Sequence, residues 1–303
     1  MSQILVVGSL NMDMTLEIPR FPLSGETILA DKFYTGPGGK GANQAYTIGR
    51  LGGNVGMLGA VGNDDFGRAL ISNLRDVNVD VSGIVIKDNA DTGRAIINVD
   101  RHGANNIVVV PGANAMLGVD DIRKHMHMIE ECDIVILQLE IPLSTISYVI
   151  KVAKEAGKTV ILDPAPATLD FPKELYQLID IIKPNETELS ILLGDETAVD
   201  RIEESARRLR ELGVKNVVVT LGERGAYIDS DNCPGEFFPV QDVRVVDSTA
   251  AGDTFIAAMS LKLNAGASLR ESVIYANKIS TIVVTRKGAQ SSIPTKDEIH
   301  LIA

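Results

Sequence analysis

Short apolar, β-branched runs recur along this 303-residue chain, separated by longer amphipathic stretches. The runs fall at residues 4–7, 55–61, 134–137, 159–162, 179–183 and 216–220. Short runs without polar alternation read as strands buried on both faces, and the stretches between them have the length of crossover helices. Residues 40–51, 67–77, 143–156, 185–193, 200–212 and 269–285 read as those helices, with Gly157 and Gly213 at C-cap positions. This rhythm leaves little choice beyond an α/β fold with a largely parallel sheet. With 45% hydrophobic residues, the chain can bury one large core of that kind or two smaller ones.

Two segments break the rhythm. Residues 11–36 and 92–110 alternate polar and apolar positions (Met14, Leu16, Ile18; Ala95, Ile97, Val99), with turn signals at Pro19, Pro22, Gly25 and 100–106. They read as antiparallel strands that pair into one small sheet inserted into the larger domain.

Charge and cysteine content exclude several classes of partner. The 40 acidic residues outnumber the 29 basic ones, giving a net charge of -11 with no Lys/Arg block, which argues against nucleic acid and anionic membranes. No apolar run approaches the roughly 20 residues of a membrane span, and residues 4–7 lack the flanks of a signal peptide. Cys132 and Cys233 are far apart without metal-ligand spacing, as expected for two reduced thiols in the cytoplasm. His102, His125, His127 and His300 are scattered, with no metal-binding pattern.

Chemistry concentrates in a few loops. In 247–255 (DSTAAGDTF), small residues, a glycine and a carboxylate precede a helix expected over 255–265. The N–H groups of Ala250, Ala251, Gly252 and Asp253 would lie in its first turn, free to meet an anion. Asp253 could accept a proton from a substrate hydroxyl, and an ordinary carboxyl would suffice where positioning dominates. A capped helix start is the alternative.

Residues 36–43 (GPGGKGAN) contain the pattern GxGxxG, but a long insert separates it from the first strand at 4–7, and Lys40 is followed by Gly41, which also excludes a Walker loop. The loop can bring backbone N–H groups, Lys40 and Asn43 to a polar ligand, or serve as a glycine turn. Asn11 and Asp13 offer donors and acceptors suited to vicinal hydroxyls, and equally suit a turn. Glu140 sits at a strand's carboxyl end, where open α/β sheets bind ligands. Asn185 and Glu188 stand at a strand-to-helix junction, as an N-cap or as groups near phosphates and magnesium. Residues 220–225 (TLGERG) form a glycine turn that could wrap a nucleotide.

These segments, together with VVPGANAML from Val109, QLEIP from Gln138, DPAPA from Asp163 and TRKGAQSSIP from Thr285, resemble the ribokinase-like family of sugar kinases in the same order along the whole chain. The resemblance implies a single domain over 1–303, built as a three-layer αβα sandwich with a mainly parallel sheet. The strands of 10–36 and 92–111 would form a lid over the sugar and the contact of a homodimer. It implies ATP-dependent phosphorylation of D-ribose at the 5-hydroxyl, with magnesium and a potassium ion. Asp253 would be the base and Ala250, Ala251 and Gly252 the anion hole. Asn11, Met12, Asp13, Gly39, Lys40, Gly41, Ala42, Asn43 and Glu140 would hold the sugar. Asn185, Thr220, Leu221, Gly222, Glu223, Arg224, Gly225, Gly252, Asp253 and Asn277 would hold ATP, with Glu188 supporting magnesium through water. Asp247, Thr249, Val283, Arg286, Gly288 and Ser292 would hold the potassium. Met12, between Asn11 and Asp13, would bear on the choice between ribose and deoxyribose. A kinase for 2-deoxyribose or another furanose, a non-catalytic sensor on the same scaffold, and a nicotinamide oxidoreductase are the competing readings.

Overall fold

A computed structural model describes residues 3–302, and the side chain of His300 lies outside what it describes. The strands are β1 (Ile4–Val7), β2 (Asn11–Ile18), β3 (Lys32–Gly38), β4 (Val55–Gly62), β5 (Asp80–Lys87), β6 (Gly93–Asp100) and β7 (Asn105–Val110). They continue with β8 (Ile134–Leu137), β9 (Thr159–Leu162), β10 (Ile181–Ile182), β11 (Asn216–Thr220), β12 (Ala226–Ser230) and β13 (Cys233–Phe238). Nine of them form one sheet in the order β13-β12-β11-β10-β9-β8-β1-β4-β5. Every neighbour from β11 to β5 is parallel, and β12 and β13 are added antiparallel at one edge.

Alternation along the strands divides the interior in two. Ile4 and Val6 enter one apolar cluster and Leu5 and Val7 the other; Ile134 and Ile136 likewise part from Val135 and Leu137. Because side chains two apart share a face, a strand apolar at every position needs a helical layer on each side. Helices Leu143–Glu155 and Ile202–Glu211 cover the face of Leu5 and Val7, and Lys40–Arg50, Ala251–Asn264 and Leu269–Val284 the face of Ile4 and Val6. This is the expected three-layer sandwich.

Sequence-based boundaries hold for the central strands and shift elsewhere. The pairing of 179–183 contracts to Ile181–Ile182. The helix expected from Phe255 begins four residues earlier in the chain, at Ala251. Strands β5, β12 and β13 and the short helices Val119–Lys124 and Met126–Glu131 were not foreseen.

The second sheet runs β3-β2-β6-β7. β2–β3 and β6–β7 are antiparallel hairpins, but they join through a parallel β2–β6 pair, which corrects the wholly antiparallel expectation. Its strand β3 reaches Gly38 and delivers the chain directly into the helix at Lys40.

Candidate active site

The parallel strands all end at one side of the large sheet, where an open α/β sheet presents its loops to ligands. Ser9 and Asn11 follow β1, Glu140 follows β8, Asp163 follows β9, Lys183 and Asn185 follow β10, and Gly222 follows β11. Two cavities open there. The larger, about 1100 Å³, lies between Lys183, Asn185, Glu188, Thr220, Gly222, Glu223, Arg224 and Gly225 on one side and 240–243, 250–253 and Asn277 on the other. The smaller, about 370 Å³, is lined by Asn11, Asn114, Glu140 and Val109. Lys40 and Asp253 line the larger one.

Ala250 takes a left-handed conformation, φ 61°, one of two non-glycine residues with positive φ among the described residues. Such backbone is costly for a residue with a Cβ and is typical of functional turns. It sharpens the entry to the helix: Thr254 N–H makes the first helical bond to Ala250 O at 2.8 Å. Ala251 N–H is not free as expected, since it donates to Ser248 O at 3.2 Å. Gly252 and Asp253 remain as first-turn donors without a helical acceptor. The Lys183 ammonium donates to Gly252 O at 3.4 Å, so positive charge sits beside those donors.

Asp253 is 7% exposed, and both of its oxygens accept hydrogen bonds. Asn43 Nδ2 reaches Oδ2 at 2.9 Å and Gln44 Nε2 reaches Oδ1 at 3.2 Å. Burial raises its carboxyl above the ordinary range and Asp163 adds to that, while Lys40, Asn43 and Lys183 oppose it. An ordinary carboxyl would suffice for the chemistry. A base of raised pKa is the stronger proton acceptor.

Around it the cleft is crowded with acids. Asp13 is raised to about 7 by burial and by the charges of Glu140 and Asp253. Glu140 is raised chiefly by burial, against the hydrogen bond from Ser9 Oγ and the charge of Lys40. Burial alone would lower Lys40, but Asp253, Asp163, Glu140 and Glu188 outweigh it and hold the ammonium charged. Lys40 therefore neutralises acids drawn from four separate segments of the chain.

Glycine geometry brings these groups together. Gly39 has φ 89°, and a Cβ there would lie 2.6 Å from Asn11 N. Only glycine lets β1's loop and the Lys40 helix approach so closely.

Several expected ligands turn away from the site. Met12 lies in the apolar core, because alternation along β2 sends it to the face opposite Asn11 and Asp13. Ala42 is likewise core, and Gly41 packs against Ser9 and Gly8. Leu221 is core on the other face. Asn185 and Glu188 form a reciprocal capping box, 2.8 Å each way, so both the cap and the cleft-wall descriptions hold. Asn277 lines the cleft but donates its amide to Phe238 O at 2.8 Å. Arg224 pairs with Glu186 at the rim.

Asp247, Thr249 and Gly288 come together: Oδ1 of Asp247 accepts Thr249 N–H at 2.9 Å and its Oγ at 2.6 Å, and Oδ2 accepts Gly288 N–H at 2.8 Å. Burial pushes Asp247 up, but these hydrogen bonds outweigh it and hold the carboxyl below its ordinary value. The Val283 carbonyl accepts from Arg286 N–H at 3.0 Å and Ser292 Oγ donates to Ala289 O at 2.6 Å. The Asp247 carboxylate and the Thr249 hydroxyl are oxygen ligands of the kind a hard cation takes.

Sequence reasoning passed over four residues that build the site. Asn114 holds Asn11 through Oδ1 at 2.8 Å and Leu10 through both backbone groups. Asp163 and Lys183 form an ion pair at 3.1 Å, 1% and 4% exposed, and Gln44 bridges Asp163 and Asp253. Asn114 and Asp163 lie inside VVPGANAML and DPAPA, Gln44 directly follows GPGGKGAN, and Lys183 ends the apolar run 179–183.

The pfkB family of carbohydrate kinases matches residues 1–296. The ribokinase of Schizosaccharomyces pombe is 38% identical over 99% of this chain and 97% of its own. The deoxyribokinase of Salmonella typhi is 34% identical over 98% and 97%. Among solved structures, the Arabidopsis thaliana ribokinase complexed with ribose and ATP superposes with a TM-score of 0.90 at 35% identity, covering 100% of this chain and 99% of that one. With its fold, its motifs in order and its full-length likeness in agreement, the chain belongs to the pfkB family of carbohydrate kinases.

Proposed function

We propose that this chain transfers the γ-phosphoryl group of ATP to the 5-hydroxyl of D-ribose, giving ribose 5-phosphate and ADP. The observation that carries the reading is Asp253: a buried carboxylate at a helix start, reached by Asn43 from one side and bordering the larger cleft on the other. ATP fits the larger cavity, with its phosphates at Gly252, Asp253 and Lys183. Ribose fits near Asn11, Asp13, Lys40 and Glu140.

In the reaction the sugar oxygen bonds to the γ-phosphorus as the bond to the bridging oxygen of ADP breaks. Asp253 takes the hydroxyl proton. A loose transition state asks mainly for alignment and for charge on the phosphoryl oxygens, which the first-turn N–H groups and the two ammonium groups supply.

Magnesium, when bound, neutralises charge on the phosphate oxygens. Among the described residues no three acidic, histidine or cysteine side chains cluster to hold a metal unaided. The chain's part would be Glu188 beside the nucleotide's own oxygens, the usual sparse magnesium site. The Asp247, Thr249 and Gly288 group fits potassium, whose charge would steady the adjoining anion hole. The lid's exposed Ile107, Val108, Val109 and Val110 suit a homodimer contact, and two unpaired cysteines suit the cytoplasm.

A panel of sugars in a coupled ADP assay tests the reading. Ribose is expected to support the highest kcat/KM, and potassium chloride to exceed sodium chloride. Preference for 2-deoxyribose would move the assignment to the relative's substrate, and no ADP with any sugar would overturn it.

A further inference from the structure

Gln44 has no place in the chemistry so far, yet it lies at the centre of the site. It is 0% exposed and lines neither cavity. Its Nε2 donates to Asp163 Oδ2 at 2.9 Å and to Asp253 Oδ1 at 3.2 Å, which uses both amide hydrogens. Its Oε1 accepts from Gln138 Nε2 at 2.6 Å. The orientation of the amide follows from chemistry: two carboxylates on one side require the NH2 there, and Gln138 meets the carbonyl on the other. Gln138 in turn is seated against Gly8, where a Cβ would stand 1.8 Å from its Oε1.

We infer that Gln44 is a positioning residue that joins the nucleotide-side pair Asp163–Lys183 to Asp253 and fixes the carboxylate for proton acceptance. The inference rests on the kinase reading above. Asp163 follows β9 and Asp253 begins a helix, so without a donor between them two buried carboxylates would face one another. Like charges in a buried site push one group to take up a proton. A protonated Asp253 cannot act as the base. Burial favours that uptake and Asp163 adds to it, while Lys40, Asn43 and Lys183 oppose it; Asp13 and Glu140 are in turn raised by the charge of Asp253. Gln44 tips this balance by donating to the ionised forms of both acids. Asn43, its neighbour on the helix, holds the other oxygen of Asp253, so the two amides fix the plane of the carboxylate.

The test is Gln44→Met, of similar volume without donors, in the full-length protein. Carbon-13 NMR of labelled aspartate, with Asp253→Asn to assign the signal, reads the Asp253 midpoint directly. The midpoint is expected to rise by about one unit or more. The acid limb of the kcat profile should move up with it, giving about a tenfold loss at pH values below both midpoints and little loss above them, while KM for ribose stays within about twofold. Gln138→Met, which frees the Gln44 amide to turn, should move both readouts the same way by less, and it carries the test if Gln44→Met does not fold. An unmoved midpoint, or a loss of kcat equal at all pH values, overturns the inference. Wild-type protein inactive on every sugar would overturn the kinase reading instead, and the NMR midpoint would still decide the role of Gln44.

Discussion

The two sheets meet at the same site, but they are stabilised differently. In the nine-stranded sheet β1, β4 and β8 are buried at every position; in the four-stranded sheet β7 is exposed at every position and Phe33 and Tyr34 on β3 stand in solvent. The large sheet places Asp163, Lys183 and, through the helix packed on it, Asp253. The small sheet contributes Asn11 and Asp13. Phosphoryl chemistry thus rests on the rigid part of the molecule, and sugar contacts rest on the part with an uncovered face. Rigidity is worth most where atoms must be aligned for reaction.

The largest expected effect is on the rigid side. Asp253→Asn removes the base while keeping the size of the side chain, and kcat should fall by about a thousandfold, roughly 4 kcal/mol. Ribose binding by calorimetry should change only a few-fold. Turnover near the wild-type level would break the assignment of proton acceptance to that sheet's helix.

Stability separates the sheets next. Ile136→Ala, in a strand with no solvent face, should cost about 2–5 kcal/mol in urea unfolding. Val108→Lys on the lid's outer strand should stay within about 0.5 kcal/mol, while converting a dimer to monomer in sedimentation. Equal losses at the two positions would remove the contrast.

Acid–base behaviour gives a finer test. Asp180, beside β10, is raised by burial, but Lys154 and Lys215, each at 2.7 Å, and Val160 N–H outweigh that and lower it. A lowered folded value means stability present at neutral pH and lost as pH falls, so Asp180→Asn should destabilise at pH 7 and matter less in acid. Asp13 is the reverse: its folded value near 7 lies above the unfolded one, so its contribution is favourable in acid and lost as pH rises through about 7. Asp13→Asn should therefore raise the Tm by about 2–4 °C at pH 8 and less at pH 5. The same sign at both positions would show that the sugar side is not charge-strained.

The same contrast explains what was legible from residues alone. Strands buried on both faces announce themselves as unbroken apolar runs, so β1, β4, β8, β9 and β11 could be placed from sequence. Edge strands such as β5 (DVSGIVIK) and β13 (CPGEFF) mix polar, glycine and proline positions and carry no such mark. The lid's alternation was visible, but alternation does not name a partner, and the parallel β2–β6 pairing was therefore missed. At the site, the glycine-rich and acidic motifs pointed to Asp253, Lys40 and Glu140. Alternation along β2 could have excluded Met12 as a ligand, since it must oppose Asn11 and Asp13. Burial of Gln44, Asp163 and Asn114 depends on which loops converge, a tertiary fact that no local spacing encodes.

The central claim, phosphoryl transfer to the ribose 5-hydroxyl, is tested most directly by product analysis. The protein is incubated with ATP, magnesium, potassium and ribose labelled with carbon-13 at C5, and the sugar is read by NMR. The account predicts that the C5 resonance becomes split by phosphorus as ADP accumulates. A C5 resonance that stays unsplit as ADP accumulates would contradict it.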